Sequence, residues 1–171
     1  METLLIYIAA SVAIFATIMV ITRLNAVHAL LYLILSLLAV GIVFYLLGAH
    51  FAAVLEVIIY AGAIMVLFVF VIMMLNLGNT TIERELSWLK PSMWIGPSIL
   101  AIILLVEILV MFSQGVSVNE VNIIDAKQVG VLLYGPYLLV VELASMLLLA
   151  GLIGAYHLGR QIYSRQNRSG N

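Results

Sequence analysis

The chain has 171 residues, 65% of them hydrophobic and 9% charged, with a net charge of −1. Soluble domains are about 45–50% apolar and about 25% charged, so a water-soluble fold is excluded and the bilayer must solvate most of the chain. There is no basic patch outside the C-terminal tail, so no nucleic-acid partner is expected, and the absence of Cys excludes disulfide, iron–sulfur and thiol chemistry.

A spanning helix needs about 20 apolar residues. The first such run is Thr3 to Thr22, ended by Arg23-Leu24-Asn25. Met1-Glu2-Thr3 lacks the basic start of a cleaved signal peptide, and the run after it is too long for one, so a retained helix is expected. The second run is His28 to Leu47, followed by a tight Gly48-Ala49-His50 turn. The third, Phe51 to Leu77, is unusually long and holds Glu56. A polar stretch with Glu83, Arg84, Glu85 and Lys90 precedes the fourth run, Met93 to Phe112, which holds Glu107. A second polar loop, Ser113 to Gln128, leads to the fifth run, Val129 to Leu158, with Glu142 near its middle. The tail from Gly159 to Asn171 is polar and basic, suited to the cytoplasmic surface or anionic headgroups.

The runs are continuous, and none shows the alternating polarity of barrel strands. The sequence therefore predicts an all-α integral membrane protein. It is a single membrane domain over 1–171, with helices at about 3–22, 28–47, 51–77, 93–112 and 129–158 and a tail at 159–171. Five spans put Arg23, Arg84, Lys90, Arg160, Arg165 and Arg168 on one side and only Lys127 on the other. Cytoplasmic loops carry the excess of Lys and Arg, so the N-terminus is expected outside and the C-terminus in the cytoplasm.

Three carboxylates fall inside spans. Each costs roughly 2.5–3.5 kcal/mol at a helix centre if ionised and unpaired, so each is expected to face protein or water. At α-helical spacing Glu56 shares a small, polar face with Ala52, Tyr60 and Ala63. Tyr60 is placed to donate a hydrogen bond to it. Glu56 reads either as a proton-path carboxylate or as an anchor bonded to a neighbouring helix. Gly62, in Tyr60-Ala-Gly-Ala63, reads either as a packing notch or as a point where the winding changes. Glu142, with Ser145 one turn on, is expected to be a buried inter-subunit carboxylate. Glu107 lies roughly 9 Å from the outer helix end at 1.5 Å per residue, and is expected to lean toward the interface or pack there. It is assigned no role. His28, His50 and His157 sit at helix ends without companions at metal-ligand spacing. Trp88 and Trp94 form an interfacial belt. Ala150-x-x-x-Gly154 and Ala155-x-x-x-Gly159 are weak packing signals. There is no P-loop, dinucleotide fingerprint, haem-type His pair or nucleophile–base set, so redox chemistry by this chain alone is excluded.

The stretch from Glu56 through Tyr60-Ala-Gly-Ala-Ile-Met-Val66 to Asn76 resembles the third-helix signature of the J-type membrane subunits of NADH:quinone oxidoreductase, respiratory complex I. Their mitochondrial counterpart is NADH dehydrogenase subunit 6. Asn25 to Tyr32, Trp88 to Pro91 and Tyr134 to Ser145 resemble the same family, and the likeness covers most of residues 20–160.

The resemblance implies a proton-pumping enzyme of the bacterial cytoplasmic (inner) membrane. NADH, FMN, iron–sulfur clusters and quinone would all lie on partner subunits, with no cofactor or metal on this chain. The implied partners are the A-, K- and H-type subunits, then antiporter-like subunits and lipid. It also implies a π-bulge around Tyr60–Gly62 that interconverts with regular α-helix. On that reading Tyr60 to Val66 is a two-state element, and Glu56 and Tyr60 lie beside the proton route. Two alternatives stand. One is a J-like subunit of a multisubunit cation/proton antiporter or membrane-bound hydrogenase. The other is a purely structural membrane subunit.

Overall fold

A computed structural model describes residues 2–75, 91–113 and 124–168, with side-chain surroundings for 3–74, 94–113 and 124–159. Arg84, Trp88, Lys90, most of the Ser113–Gln128 loop and the side chains of the basic tail lie outside these residues. In chain order the elements are α1 (Glu2–Thr22), α2 (Ala26–Leu46), α3 (His50–Leu55), a π-helical segment (Glu56–Ile64), α4 (Met65–Leu75), α5 (Pro91–Ser113), α6 (Ala126–Leu133) and α7 (Leu138–Arg168). The third to fifth of these run on as one rod. Among the described residues, five helices are long and apolar enough to cross a membrane: Thr3–Thr22, Ala26–Leu46, His50–Met74, Trp94–Ser113 and Leu138–Gly159. The expected all-α, five-span architecture is therefore present.

The chain divides into two compact units, Met1–Asp125 and Ala126–Asn171. The core of the first lies between α1, α2 and α5. Leu5, Ala9, Val12 and Ala16 of α1 recur every three or four residues and face Tyr32, Leu35, Ala39, Ile42 and Leu46 of α2, with Leu100 and Leu104 of α5 completing the cluster. The fully enclosed Ala9, Ala16 and Ala39 let the backbones approach closely, which is how helices associate when lipid removes the hydrophobic drive. Two hydroxyls add a polar link: Thr17 Oγ1 and Ser36 Oγ are 2.8 Å apart, and Ser36 Oγ donates to the Ala13 carbonyl at 3.2 Å.

Local chemistry sets the ends of α2. Asn25 caps its start, its side chain accepting from the Val27 and His28 amides at 3.0 and 3.5 Å. At the other end Gly48 adopts φ 80°. Its amide donates to the Tyr45 carbonyl, and the Ala49 amide reaches back to Phe44, both at 3.0 Å. This is a Schellman termination, and it needs a left-handed residue after the cap. His50 then stacks on Tyr45 with ring centroids 4.3 Å apart. An L side chain costs roughly 1–2 kcal/mol in this conformation. Gly48→Ala is expected to lower stability by about that amount, read as a lower Tm of the solubilised protein. An unchanged Tm would mean that the turn relaxes at no cost.

The second unit corrects the expected helix over 129–158. It is two helices, α6 and α7, joined by a turn at 134–137. Pro136 supplies no amide and disfavours helix at the residue before it. A Cβ on Gly135 would stand 2.8 Å from the Val131 carbonyl oxygen, so the chain passes there only without a side chain. Past the turn α7 runs on to Arg168, beyond the expected end at 158. Gly159 does not stop it, because among the described glycines only Gly48 has positive φ.

Candidate functional site

The third span holds the candidate site. From Glu56 to Ile64 the backbone winds as a π-helix, and the amide of Met65 reaches the carbonyl of Tyr60, five residues back. A bulge around Tyr60–Gly62 falls within this longer segment. The extra residue resets which side chains face inward. Ala53 and Met65 are buried, Met65 to 1% exposure, and Glu56, Ala61 and Gly62 are half-buried between them. The inward stripe therefore steps by five residues from Glu56 to Ala61 instead of by three or four.

The expected face of Ala52, Glu56, Tyr60 and Ala63 is thus corrected. Only Glu56 of that set turns inward; Ala52 and Ala63 are exposed, and Tyr60 is 50% exposed. No hydrogen bond joins Tyr60 to Glu56 among the described residues. The cause is geometric: a π turn shifts position i+4 to the opposite flank from the one it takes in an α-helix. Val66, just past the π segment, is also exposed.

Glu56 lies against α2. A Cβ on Gly41 would stand 3.3 Å from Val57 Cγ2, 3.7 Å from the Ala53 carbonyl oxygen and 3.9 Å from Glu56 Cγ. Gly41 is therefore the notch in which the start of the π segment seats. Beside it runs an apolar groove of about 560 Å³, lined by Leu38 and Ile42 of α2, Ala53 and Val57 of the third span, and Leu104 and Ile108 of α5 among others. Gly62 is tight within its own rod: a Cβ there would stand 3.2 Å from the Val57 carbonyl oxygen. The π winding and a glycine at 62 thus belong together.

Glu142 belongs to the other unit. It lies in the second unit, exposed, with no hydrogen bond to Ser145 among the described residues. The break at Gly135-Pro136 moves the start of the fifth span to Leu138. Glu142 is then four residues in, about 6 Å at 1.5 Å per residue, and not near the middle of the helix.

Of the readings open for Glu107, the packed one is observed: it is 3% exposed, and neither carboxyl oxygen has a hydrogen-bond partner among the described residues. The sequence does contain its signal: Leu100, Leu104, Glu107 and Met111 recur at helical spacing, and that stripe is the inner face of α5. Of the histidines, His28 is buried at the start of α2, and the buried His50 Nε2 has no hydrogen-bond partner among the described residues.

Residues 16–158 match the family described as NADH-ubiquinone/plastoquinone oxidoreductase chain 6. The NADH-quinone oxidoreductase subunit J of Pseudomonas aeruginosa is 63% identical over 158 residues, covering 91% of this chain and 95% of that protein. The subunit J of Escherichia coli (strain K12) is 60% identical over 159 residues, covering 91% and 85%. A subunit J from Buchnera aphidicola is 49% identical over 157 residues, covering 91% and 96%. The matched stretch contains the whole π segment and its α2 notch, and on it the chain belongs to the NADH-ubiquinone/plastoquinone oxidoreductase chain 6 family.

Proposed function

We propose that this chain is a membrane-arm subunit of a proton-pumping NADH:quinone oxidoreductase, and that its π-helical segment is a conformational gate coupling quinone reduction to proton translocation. The observation that carries the reading is the nine-residue π segment lying inside a chain 63% identical to a named subunit J. π turns are rare and concentrate at functional sites. Returning the segment to α winding rotates the helix beyond it by about 100°. That rotation carries Ile64 and Val66 around the rod and moves Val57 and Ile58 along the apolar groove. Bulky side chains exchange places, so the path opens or closes by packing.

Glu56, seated in the Gly41 notch at the foot of the segment, is the carboxylate beside the route, and Tyr60 moves with the winding. NADH, FMN, iron–sulfur clusters and quinone belong to partner subunits. The nearest partners are the A-, K- and H-type subunits, with antiporter-like subunits further along. The membrane is the bacterial cytoplasmic membrane, with the N-terminus outside and the basic loops and tail in the cytoplasm.

The test is purification of the tagged chain in mild detergent, then native separation with an NADH-oxidation stain. Migration in a large, flavin-containing, NADH-active assembly is expected. Migration with antiporter-type subunits and no NADH activity would assign the chain to the related scaffold instead. Within an active assembly, Glu56→Gln is expected to lower the protons moved per electron while NADH oxidation by an artificial acceptor continues. Full stoichiometry in that variant would reduce Glu56 to a packing residue.

A further inference from the structure

The break at 134–137 leaves α6 outside the membrane crossing. Leu138–Gly159 is 22 residues long, about 33 Å at 1.5 Å per residue, and a hydrocarbon core is about 30 Å thick. A single helix over the whole apolar run 129–158 would be about 45 Å long and would overshoot it. The span is complete without α6, whose 8 residues add about 12 Å.

The turn nonetheless holds α6 at the height where the span begins. Residues 134–137 bridge at most about 14 Å. Hydrogen bonds tighten them further. The Tyr137 amide donates to the Leu132 carbonyl at 3.1 Å, and the Leu138 amide to the Gly135 carbonyl at 3.2 Å. Tyr134 and Tyr137 stand at the two ends of this turn, both exposed. Amphipathic rings of this kind sit at headgroup level, so they mark the height from which α6 leads away.

The side chains of α6 suit that height. At about 100° per residue, Ala126, Val129, Gly130 and Leu133 fall on one side, with Leu132 beside them. Lys127 and Gln128 fall on the other side, where Val131 is the one apolar residue. Leu132 and Leu133 are exposed, which water disfavours, and Lys127 and Gln128 are exposed too. Lipid beneath the helix and water above it satisfy both sides, and the charge of Lys127 complements headgroup phosphates.

We propose that α6 is an in-plane surface helix, with Val129, Leu132 and Leu133 sunk in the boundary between headgroups and acyl chains and Lys127 among the phosphates. The occupant of its apolar side is phospholipid. Helices of this kind bury that side about 5–10 Å deep. α6 acts as a float: it fixes how deep the fifth span sits, and with it the depth of Glu142, one turn inside. This rests on the fifth span crossing the bilayer and not on the gate.

The chain has no Cys, so one introduced Cys carries a spin label alone. The full chain in phospholipid bilayers is labelled in turn as Lys127→Cys, Gln128→Cys, Val129→Cys, Leu132→Cys and Leu133→Cys, with Leu147→Cys as the reference inside the span. Relaxation of the label by oxygen, which concentrates in lipid, is compared with relaxation by a water-soluble nickel chelate. Oxygen is expected to dominate at 129, 132 and 133, as at 147, and nickel at 127 and 128. The ratio follows the helical turn and does not climb along the chain. Should Val129→Cys fail to insert, Leu132→Cys and Leu133→Cys carry the test. A ratio that climbs steadily from 127 to 133 would make α6 the kinked top of the span and overturn the proposal. So would nickel access at every position. Exclusion of both reagents at 129, 132 and 133 would overturn it as well, since protein and not lipid would then cover that side.

Discussion

An assembled complex carrying Gly62→Val is expected to oxidise NADH with an artificial acceptor at the wild-type rate and to lose most of its quinone-coupled proton translocation. The cause is differential strain. In the π winding a Cβ at residue 62 stands 3.2 Å from the Val57 carbonyl oxygen, closer than side chains ordinarily approach. Valine adds two branches there. Overpacking of this kind costs about 1–3 kcal/mol. A bias of about 1–3 kcal/mol between two states shifts their ratio about 5–150-fold. The cost falls on the π state, so the variant is held in the α state and the gate cannot cycle. Gly62→Ala brings the same first atom with less bulk and should give a graded loss. Proton uptake by inverted membrane vesicles, followed with a pH-sensitive dye, measures both. Intact pumping in Gly62→Val would mean that the segment does not need to move.

Gly96→Ala is expected to weaken the seating of α5 on α2, and Tyr32→Phe is expected to restore most of what is lost. Tyr32 is enclosed between the helices, and its hydroxyl occupies the space that a Cβ at residue 96 would take. Two effects oppose each other. Alanine gains about 1 kcal/mol of helix propensity over glycine. Forcing an extra carbon into a packed interface costs about 1–3 kcal/mol, occasionally more, and a direct overlap with a rigid phenol belongs at the upper end. Strain outweighs propensity, so Gly96→Ala should lower both Tm and the amount of chain retained in membranes. Removing the hydroxyl leaves Tyr32 Cζ as the nearest atom, 3.3 Å from the new Cβ, which small adjustments absorb. The double-mutant cycle should show a coupling of about 0.5–3 kcal/mol. Additive losses would place the effect of Gly96 in the backbone and not in the contact.

The spans were legible in the sequence because hydropathy over about 20 residues is set by the bilayer and not by tertiary detail. The turn at Gly48 was legible too, since few residues serve a left-handed cap. Three things were not. The face shared by Ala52, Glu56, Tyr60 and Ala63 follows from an α-helical period, and the π segment breaks that period at Ala61. No composition marks such a change, because Val, Ile and Ala fit either winding. Glu142 falls mid-helix only if the apolar run continues unbroken through Gly135-Pro136, and hydropathy does not register a backbone break. For Glu107, leaning outward and packing were both open, and the spacing to Leu104 and Met111 that decides between them was not used. Glu56 and Gly62 stood out as a carboxylate and a glycine inside a span, whereas the π-bulge around them came from resemblance and not from periodicity.

The five-residue step from Glu56 to Ala61 has a genetic meaning. Between these positions the rod carries one residue more than an α-helical inward stripe requires. Removing a single codon between these two positions would restore an even α-helical register, with Ala53, Glu56 and Met65 still facing inward. On the function proposed for this segment, the residue count of the rod is itself a functional setting. Substitutions that spare Glu56 and Gly62 leave that count intact, whereas a one-codon deletion, invisible in composition and hydropathy, would remove the π step.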